Sequence, residues 1–414
     1  MSLNVFRRSE PNTPTASTSD IYMAIVDNKM MSKTDTGIVS HLNPQVSVNK
    51  NGIMNSSFMI QQKIAVASTA IAGVSTTTRA GVVADRWSVT ASVTSNLNWQ
   101  QVDTAAAQET NLQSRYYGSI ISSTAGKKVM ISQWIRNNEM KHLLGRKVRI
   151  SFNIRQKSGT TGQKYKLGLI QLNASGTVDT SPAFLASAWS ITTGIDPVWG
   201  TNLVAITPDS DGQIGGAIVG SFFESTNSTA AWKAPLVTPS AVFTIPADSK
   251  NLVIVLFADA TGGTTDNLSL SEFNMTIGEN QYDWIEESFG SQLRECQAYY
   301  SKSFAYGTVP AQNATVVNAV GGIAGKAGAV ALAGSIAIRF PVTMVASPTV
   351  TLYCPTESSA QIDRIDGTTP IAHTGTAQIH LGDAGVFCTS TGTTNTAVGD
   401  TLAVHYSATA ETIN

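Results

Sequence analysis

Hydrophobic and polar positions alternate with a period of two along much of the chain, the spacing of a strand with one face against a core and the other in water. Trp87, Val89, Ala91 and Val93 alternate with Ser88, Thr90, Ser92 and Thr94; Val148, Ile150, Phe152 and Ile154 alternate with Arg149, Ser151, Asn153 and Arg155. Each run predicts an antiparallel strand with one wet face. Leu252 to Phe257 is apolar without interruption and predicts a central strand covered on both faces. Gly, Pro, Asn and Asp punctuate such runs from about Asn51 to Glu287. Helical spacing is confined to two places. One covers roughly Gln133 to Leu144, where Trp134, Ile135, Met140, Leu143 and Leu144 share a side and Gly145 supplies the stop. The other covers about Gly290 to Lys302, where Phe289, Leu293, Cys296 and Tyr300 recur at helical offsets behind a Ser288 or Ser291 cap.

Outside this region the pattern changes. Residues 1 to 20 are rich in Ser, Thr, Pro and Asn and have little to bury, so they are expected to order on a partner. Ile21, Met23 and Ile25 alternate with Tyr22 and Ala24, Asp27-Asn28 supplies a turn, a second short strand runs from Met30 to Thr34, and Gly37 turns the chain again. Beyond Phe304 the composition shifts to Ala, Gly, Val and Thr. Strands are predicted there around Ile336, Ile338 and Phe340, around Val350 and Leu352, and around Leu402, Val404 and Tyr406, with His405 on the opposite face. No repeat at a fixed period occurs, which disfavours a β-solenoid. The fold class is therefore all-β, divided into an arm and hairpin (1–50), a β-sandwich with two short helices (51–288), a connecting helix (289–305) and a C-terminal β domain (306–414).

Composition narrows the function. Lys and Arg number 27 against 28 Asp and Glu, a net charge of −1, and no segment collects five like charges. That leaves no electrostatic footprint for nucleic acid or an anionic membrane surface. Charged residues make up 13% of the chain, about half the usual ~25%, while short polar and β-branched side chains that favour strands and turns are abundant. Cys296, Cys354 and Cys388 fit neither a disulfide framework nor a zinc site and are expected to be reduced thiols. Arg7 and Arg8 precede no apolar run of a secretory signal, and the longest apolar stretch, Leu252 to Ala258, is far short of the ~20 residues of a membrane span, so no membrane insertion is expected.

Several segments resemble, in order, the phage and prophage fibre proteins that carry a carbohydrate-binding-module-like jelly roll. They are NGIMNSSFMIQQK from Asn51, ADRWSV from Ala84, QWIRNNEMKHLLGRKVRISFNIRQ from Gln133, AAWKAPLVTPSAVFTIPADSKNLVIVLF from Ala230, and YDWIEESFGSQLRECQAYYSKSF from Tyr282. Leu144-Gly145 matches the turn that ends a short helix in that family, Trp232 and Pro246 match the residues that open and close a later strand, and Leu293 to Tyr300 matches its closing Leu-x-x-Cys-Gln-x-Tyr-Tyr helix. The sequence departs at Phe58-Met59-Ile60-Gln61, which lacks the aromatic residue expected before the Gln. FPVTMVASPTV and the closing HYSATAE are similar to a β unit that often follows. The resemblance implies a jelly-roll sandwich, a homotrimer, and a virion protein assembled in host cytoplasm as a tail or head fibre or spike. It further implies attachment to other virion proteins (capsid, portal or tail components) through the arm, with Phe6, Arg7, Arg8, Ile21 and Tyr22 as attachment residues, and contact with host cell-surface polysaccharide. A capsid decoration (cement) protein and a free carbohydrate-binding module are the alternatives.

Motifs for catalysis are missing or incomplete. His41, His142, His373, His380 and His405 have no metal-binding spacing. Gly321 to Gly328, GGIAGKAG, lacks the spacing and the Ser or Thr of a phosphate loop, and Asp209-Ser210-Asp211-Gly212 opens like a calcium loop without its closing Glu. Asp248, Asp259, Asp266 and Glu272 are the carboxylates considered for a glycosidase pair, and they stand in ordinary turn and strand-edge contexts. No Gly-x-Ser-x-Gly elbow occurs. A non-enzyme without cofactor or metal is expected. Sugar rings offer an apolar face and a polar rim that suit exposed aromatic side chains. Trp189 and Trp199, in the loop-like SAWSITTGIDPVWG, are the candidate glycan contacts, with framework packing as their other reading; Trp87, Trp134 and Trp232 are read as framework.

Overall fold

In the computed structural model the described residues are 24–26, 29–33, 39–42, 51–64, 69–74, 81–105, 107, 112–122, 125–158, 163–172, 186–192, 196–209, 221–225, 240–259, 261–263, 266–280, 282–315, 319–324, 334–356, 358, 362–366, 369–373, 377–390 and 401–410. The chain divides into two compact units, Met1–Asn51 and Gly52–Asn414. In the first, Ala24–Val26, Lys29–Lys33 and Val39–Leu42 form an antiparallel sheet in chain order, with Val26 opposite Lys29 and Lys33 opposite Val39. Asp27-Asn28 and Gly37, where the pattern puts the turns, lie outside the described residues.

Two antiparallel sheets build the front of the second unit. The first has the order Ser240–Thr244, Lys147–Ser158, Asn267–Ile277, Tyr116–Ser122, Ser95–Asp103, Thr69–Val74. The second has the order Leu203–Ile206, Gln163–Leu172, Asn251–Ala258, Val129–Ile135, Trp87–Ala91, Gly81–Ala84, with Ser221–Ser225 also paired to Gln163–Leu172. Their facing sides share one core that includes Phe58, Trp87, Trp99, Phe152 and Phe273, all buried. Phe58 lies 5.0 Å from Trp87, 5.2 Å from Trp99 and 6.0 Å from Phe273 between ring centroids. Gly118 faces the Trp99 ring so closely that a Cβ would stand 2.1 Å from Cη2, which excludes any larger residue without movement of the ring.

The segment before the first of these strands is a folded plug. Asn55, at φ 49°, donates from Nδ2 to the Ile60 and Asp85 carbonyls and accepts from Ile60 N at Oδ1, closing a loop that delivers Phe58 to the core. The apolar run Leu252 to Phe257 is covered on both faces. Leu252, Ile254 and Leu256 point into the sandwich, while Val253, Val255 and Phe257 join Met130, Trp134, Ile170 and Leu172 in a separate cluster on the outer face of the second sheet.

Both helical expectations need correction. Gln133 to Ile135 continue the strand Val129–Ile135, with Trp134 opposite Val253 on the outer face and Ile135 opposite Leu252 on the inner face. Cross-strand pairing satisfies their backbone, so helical spacing there is coincidental. Helix begins only at Asn137–Met140, where Glu139 Oε2 accepts from Arg136 N at 2.7 Å, and tightens into a 3₁₀ turn at Lys141–Leu143. Gly145, at φ 70°, ends it as expected. The later helix spans Phe289–Gln297, with Ser288 accepting from Ser291 N, and Cys296 seals it against Met59 and Ile60. Tyr300–Lys302 is instead a strand paired with Thr401–Thr409.

That strand enters a nine-stranded antiparallel sheet. Its main order is Thr369–His373, Ile362–Asp366, Thr401–Thr409, Val320–Ala324, Gly334–Arg339, Gly385–Ser390, Ala377–Leu381, and Thr349–Tyr353 also pairs with Thr401–Thr409. Ile336, Ile338, Phe340, Leu352, Leu402, Val404 and Tyr406 form its core. Cys296, Cys354 and Cys388 are buried free thiols, and burial pushes Cys388 up to about 11.

A buried polar junction joins this sheet to the sandwich. The Tyr299 ring lies between two guanidinium groups, 3.6 Å from Arg86 and 5.2 Å from Arg136. Arg86 also donates to the Trp134 carbonyl at 2.7 Å and pairs with Glu139, and Arg136 donates to the Ala410 carbonyl. Lys302 donates to the Gln62 carbonyl at 2.7 Å and to the Thr308 carbonyl, and Tyr306 Oη donates to Met59 O at 2.6 Å. Burial holds the Lys302 ammonium down at about 8, against the opposing pull of Asp85.

Candidate functional site

Residues that alternate outward along three strands set the floor of the candidate site. Phe257 stands opposite Lys166 on one side and Met130 on the other, and Asp259 and Lys128 follow two positions along on the same face. Above this floor lie the short paired segments Ala186–Ala188 and Val198–Trp199. Trp189 and Trp199 flank Phe257 edge-on, with centroids at 5.8 Å and 87° and at 6.1 Å and 74°. Trp189 is 6% exposed and Trp199 half-buried.

Charges fasten the same segments. Lys166 Nζ lies 2.6 Å from Asp196 Oδ1 and 3.0 Å from Asp259 Oδ1, although the second contact falls outside hydrogen-bond geometry. Burial works against the Lys166 charge, but the two carboxylates outweigh it and hold the ammonium above its ordinary value. Lys128, fully buried, donates to the Thr192 carbonyl at 2.6 Å, and burial lowers it. The cluster therefore carries two cations against two anions.

The two indole N–H groups are buried and have no acceptor among the described residues. Other tryptophans differ. Trp87 Nε1 donates to the Asn55 carbonyl at 3.0 Å, Trp99 Nε1 to Gln61 Oε1 at 3.1 Å, and Trp284 Nε1 to Ser56 Oγ at 2.9 Å. The structure thus brings both sequence candidates onto one aromatic floor, packed as framework while keeping two polar handles unused. Lys128, Lys166 and Asp196 were not singled out from sequence; their only signal was register, since each needs its strand or loop partner to become part of the cluster. Phe6, Arg7, Arg8, Ile21, Tyr22 and Trp232 lie outside the described residues, as do residues 210–212 and 325–328 of the two loop motifs.

The remaining chemistry-bearing groups are held in local structure. Glu272, at φ 55° in a bulge of the Asn267–Ile277 strand, accepts from Ser114 N at 2.7 Å, from Gln113 N and from Asn153 Nδ2, and burial raises its carboxyl despite those bonds. Asp266 accepts from Gly263 N, and Asp248 is exposed. His405 stacks on Phe304 and is bonded through Nδ1 to Ser303 and through Nε2 to the Thr315 carbonyl. A cavity of about 20 Å³ lined in part by Ser122, Lys127, Tyr165 and Asp266 has room for one water. Among the described residues no group of three or more His, Cys, Asp or Glu is placed to hold a metal ion.

No protein-family model matches the sequence, and no curated protein matches it. Among solved structures, the carbohydrate-binding module TmCBM61 in complex with β-1,4-galactotriose is 13% identical, with a TM-score of 0.28 over 55% of this chain and 99% of that one. The enzymatically active domain of tailspike protein 4 of bacteriophage CBA120 is 10% identical, with a TM-score of 0.30 over 55% of this chain and 21% of that one. The Clostridium thermocellum Xyn10B CBM22-1–GH10 modules complexed with xylohexaose are 12% identical, with a TM-score of 0.27 over 54% of this chain and 30% of that one. At these scores the architecture rests on the strand pairing described above.

Proposed function

We propose that the chain is a structural subunit of a bacteriophage particle, a homotrimeric tail or head fibre or spike that is held to other virion proteins by its N-terminal arm and meets host-surface glycan through its sandwich. The observation that carries this reading is the junction: Arg86, Arg136, Tyr299 and Lys302 lock two β units through buried, charge-assisted contacts. Hinged closure over a substrate requires interfaces that can part, whereas a fibre requires successive units at a fixed angle. The run of segments that resembles phage fibre proteins agrees with it, including the one that forms the helix Phe289–Gln297 packed on Met59 and Ile60. Glycan contact falls to Trp189 and Trp199, on the aromatic floor they share. The test is the mass of the purified chain together with electron cryo-microscopy of the particle that carries it. A species three times the 43.7 kDa chain, and threefold density projecting from head or tail, are expected. A monomer at micromolar concentration, absent from particles, contradicts the proposal.

A further inference from the structure

Deepening that glycan reading, we infer that the Phe257 face of the second sheet and the segments paired above it form a binding site for an uncharged, hydroxyl-bearing ring, entered by displacement of those segments. Four observations converge on it. Trp189 Nε1 and Trp199 Nε1 are buried donors without acceptors, although the molecule satisfies the indoles of Trp87, Trp99 and Trp284. A buried donor without a partner is uncommon in a native protein; two on one aromatic floor mark a place where an acceptor belongs. Both rings stand edge-on to Phe257, so lifting them exposes aromatic faces suited to the apolar side of a sugar ring, with the N–H groups at its polar rim.

Charge selects against an ionic ligand. Lys166 is already shared between Asp196 and Asp259, and Lys128 is spent on a backbone carbonyl. An added anion or cation would have to break one of these buried arrangements and leave its partner exposed to the desolvation cost. A neutral polyol breaks none. The covering segments are also light: their paired strands are three and two residues long. Their outer side leaves Ile191 50% and Val198 59% exposed, so the apolar burial lost on displacement is chiefly that of the two indole rings, which a stacked ligand ring would cover again.

The test applies the full-length chain to an array of neutral and acidic glycans, followed by titration with the best neutral binder. Trp189→Phe and Trp199→Phe keep an aromatic ring while deleting the donor and the pyrrole part of the indole. The expected result is binding to at least one neutral glycan and none confined to acidic ones, with each variant weakened by about tenfold while it retains a cooperative unfolding transition. Selective binding of acidic glycans, equal affinity of both variants and wild type, or no binding across the array overturns the inference. Native mass measured on the same preparation separates the two proposals: a trimer that fails these binding criteria leaves the structural reading standing, and a monomer that binds a neutral glycan through both tryptophans leaves only the site.

Discussion

The two faces of the second sheet treat their tryptophans differently. On the inner face, Trp87 belongs to a cluster in which rings meet at 4.7 to 6.0 Å and its indole N–H finds a carbonyl supplied by the plug at residues 51–64. On the outer face, Trp189 and Trp199 touch the same sheet through Phe257, but their indole N–H groups find no acceptor among the described residues. Both faces bury apolar surface, and only one is finished. The indoles of the inner core are bonded from within: Trp87 Nε1 to the Asn55 carbonyl and Trp99 Nε1 to Gln61 Oε1. The outer cluster holds together by ring contact and two lysine attachments while keeping unused hydrogen-bonding capacity, which is the signature of a surface arranged for something else.

That contrast can be broken experimentally. The largest effect is expected on the inner face: Phe273→Ala removes a ring packed on Phe58, Trp87 and Phe152 and should destabilise the unit by about 3–5 kcal/mol in denaturant unfolding. Gly118→Ala drives a methyl into Trp99 and should lose about 1–3 kcal/mol or more by the same measurement. Next comes the pair that addresses the comparison itself. Trp87→Phe and Trp99→Phe each delete a buried hydrogen bond, although the Asn55 carbonyl keeps Phe58 N, and should lose about 0.5–1.5 kcal/mol more than Trp189→Phe and Trp199→Phe, which discard donors that bond to nothing among the described residues. Equal losses in the two pairs would erase the distinction.

The smallest effect sharpens the comparison from a third region, the junction. Lys302 in the folded chain sits near 8, below the ~10.4 of an unfolded lysine. Between those values the unfolded chain binds more protons, so stability should rise with pH from about 8. Cys388, pushed up to about 11, has the opposite sign once an unfolded thiol begins to ionise near ~8.5–9, and Tyr306, raised to about 12, opposes above ~10. The rise is therefore confined to roughly pH 8 to 9. Lys302→Met should flatten it in thermal melts across that interval and, by leaving the Gln62 and Thr308 carbonyls unpaired, lower stability by about 1–3 kcal/mol at pH 7.

Much of the sandwich was legible in the sequence because strand alternation is local. The runs at Trp87 and Val148 are strands, but the face expected to be wet is covered, since Ser88, Thr90, Ser151 and Asn153 are all buried; the unbroken apolar run at Leu252 is the strand with cores on both sides. The helix misread at Gln133 shows where local pattern stops: Trp134 and Ile135 serve opposite faces of a sheet, a fact carried by Val253 and Leu252 more than a hundred residues away. The plug was missed as a structure for the same reason, since the left-handed Asn55 and Phe58 make sense only once Asp85 and Trp87 lie beside them. Trp189 and Trp199 could be named from their loop-like setting, but their shared floor, their orphaned donors and the lysine–aspartate cluster around them depend on register and burial that no single run encodes.

The difference between the two faces is tested most directly by native-state hydrogen exchange. Amides of Leu252 to Phe257 should exchange only with global unfolding, and those of Ala186–Ala188 and Val198–Trp199 through a local opening of much lower free energy that a bound neutral glycan suppresses. Equal protection of the two sets, unchanged by ligand, would contradict the account.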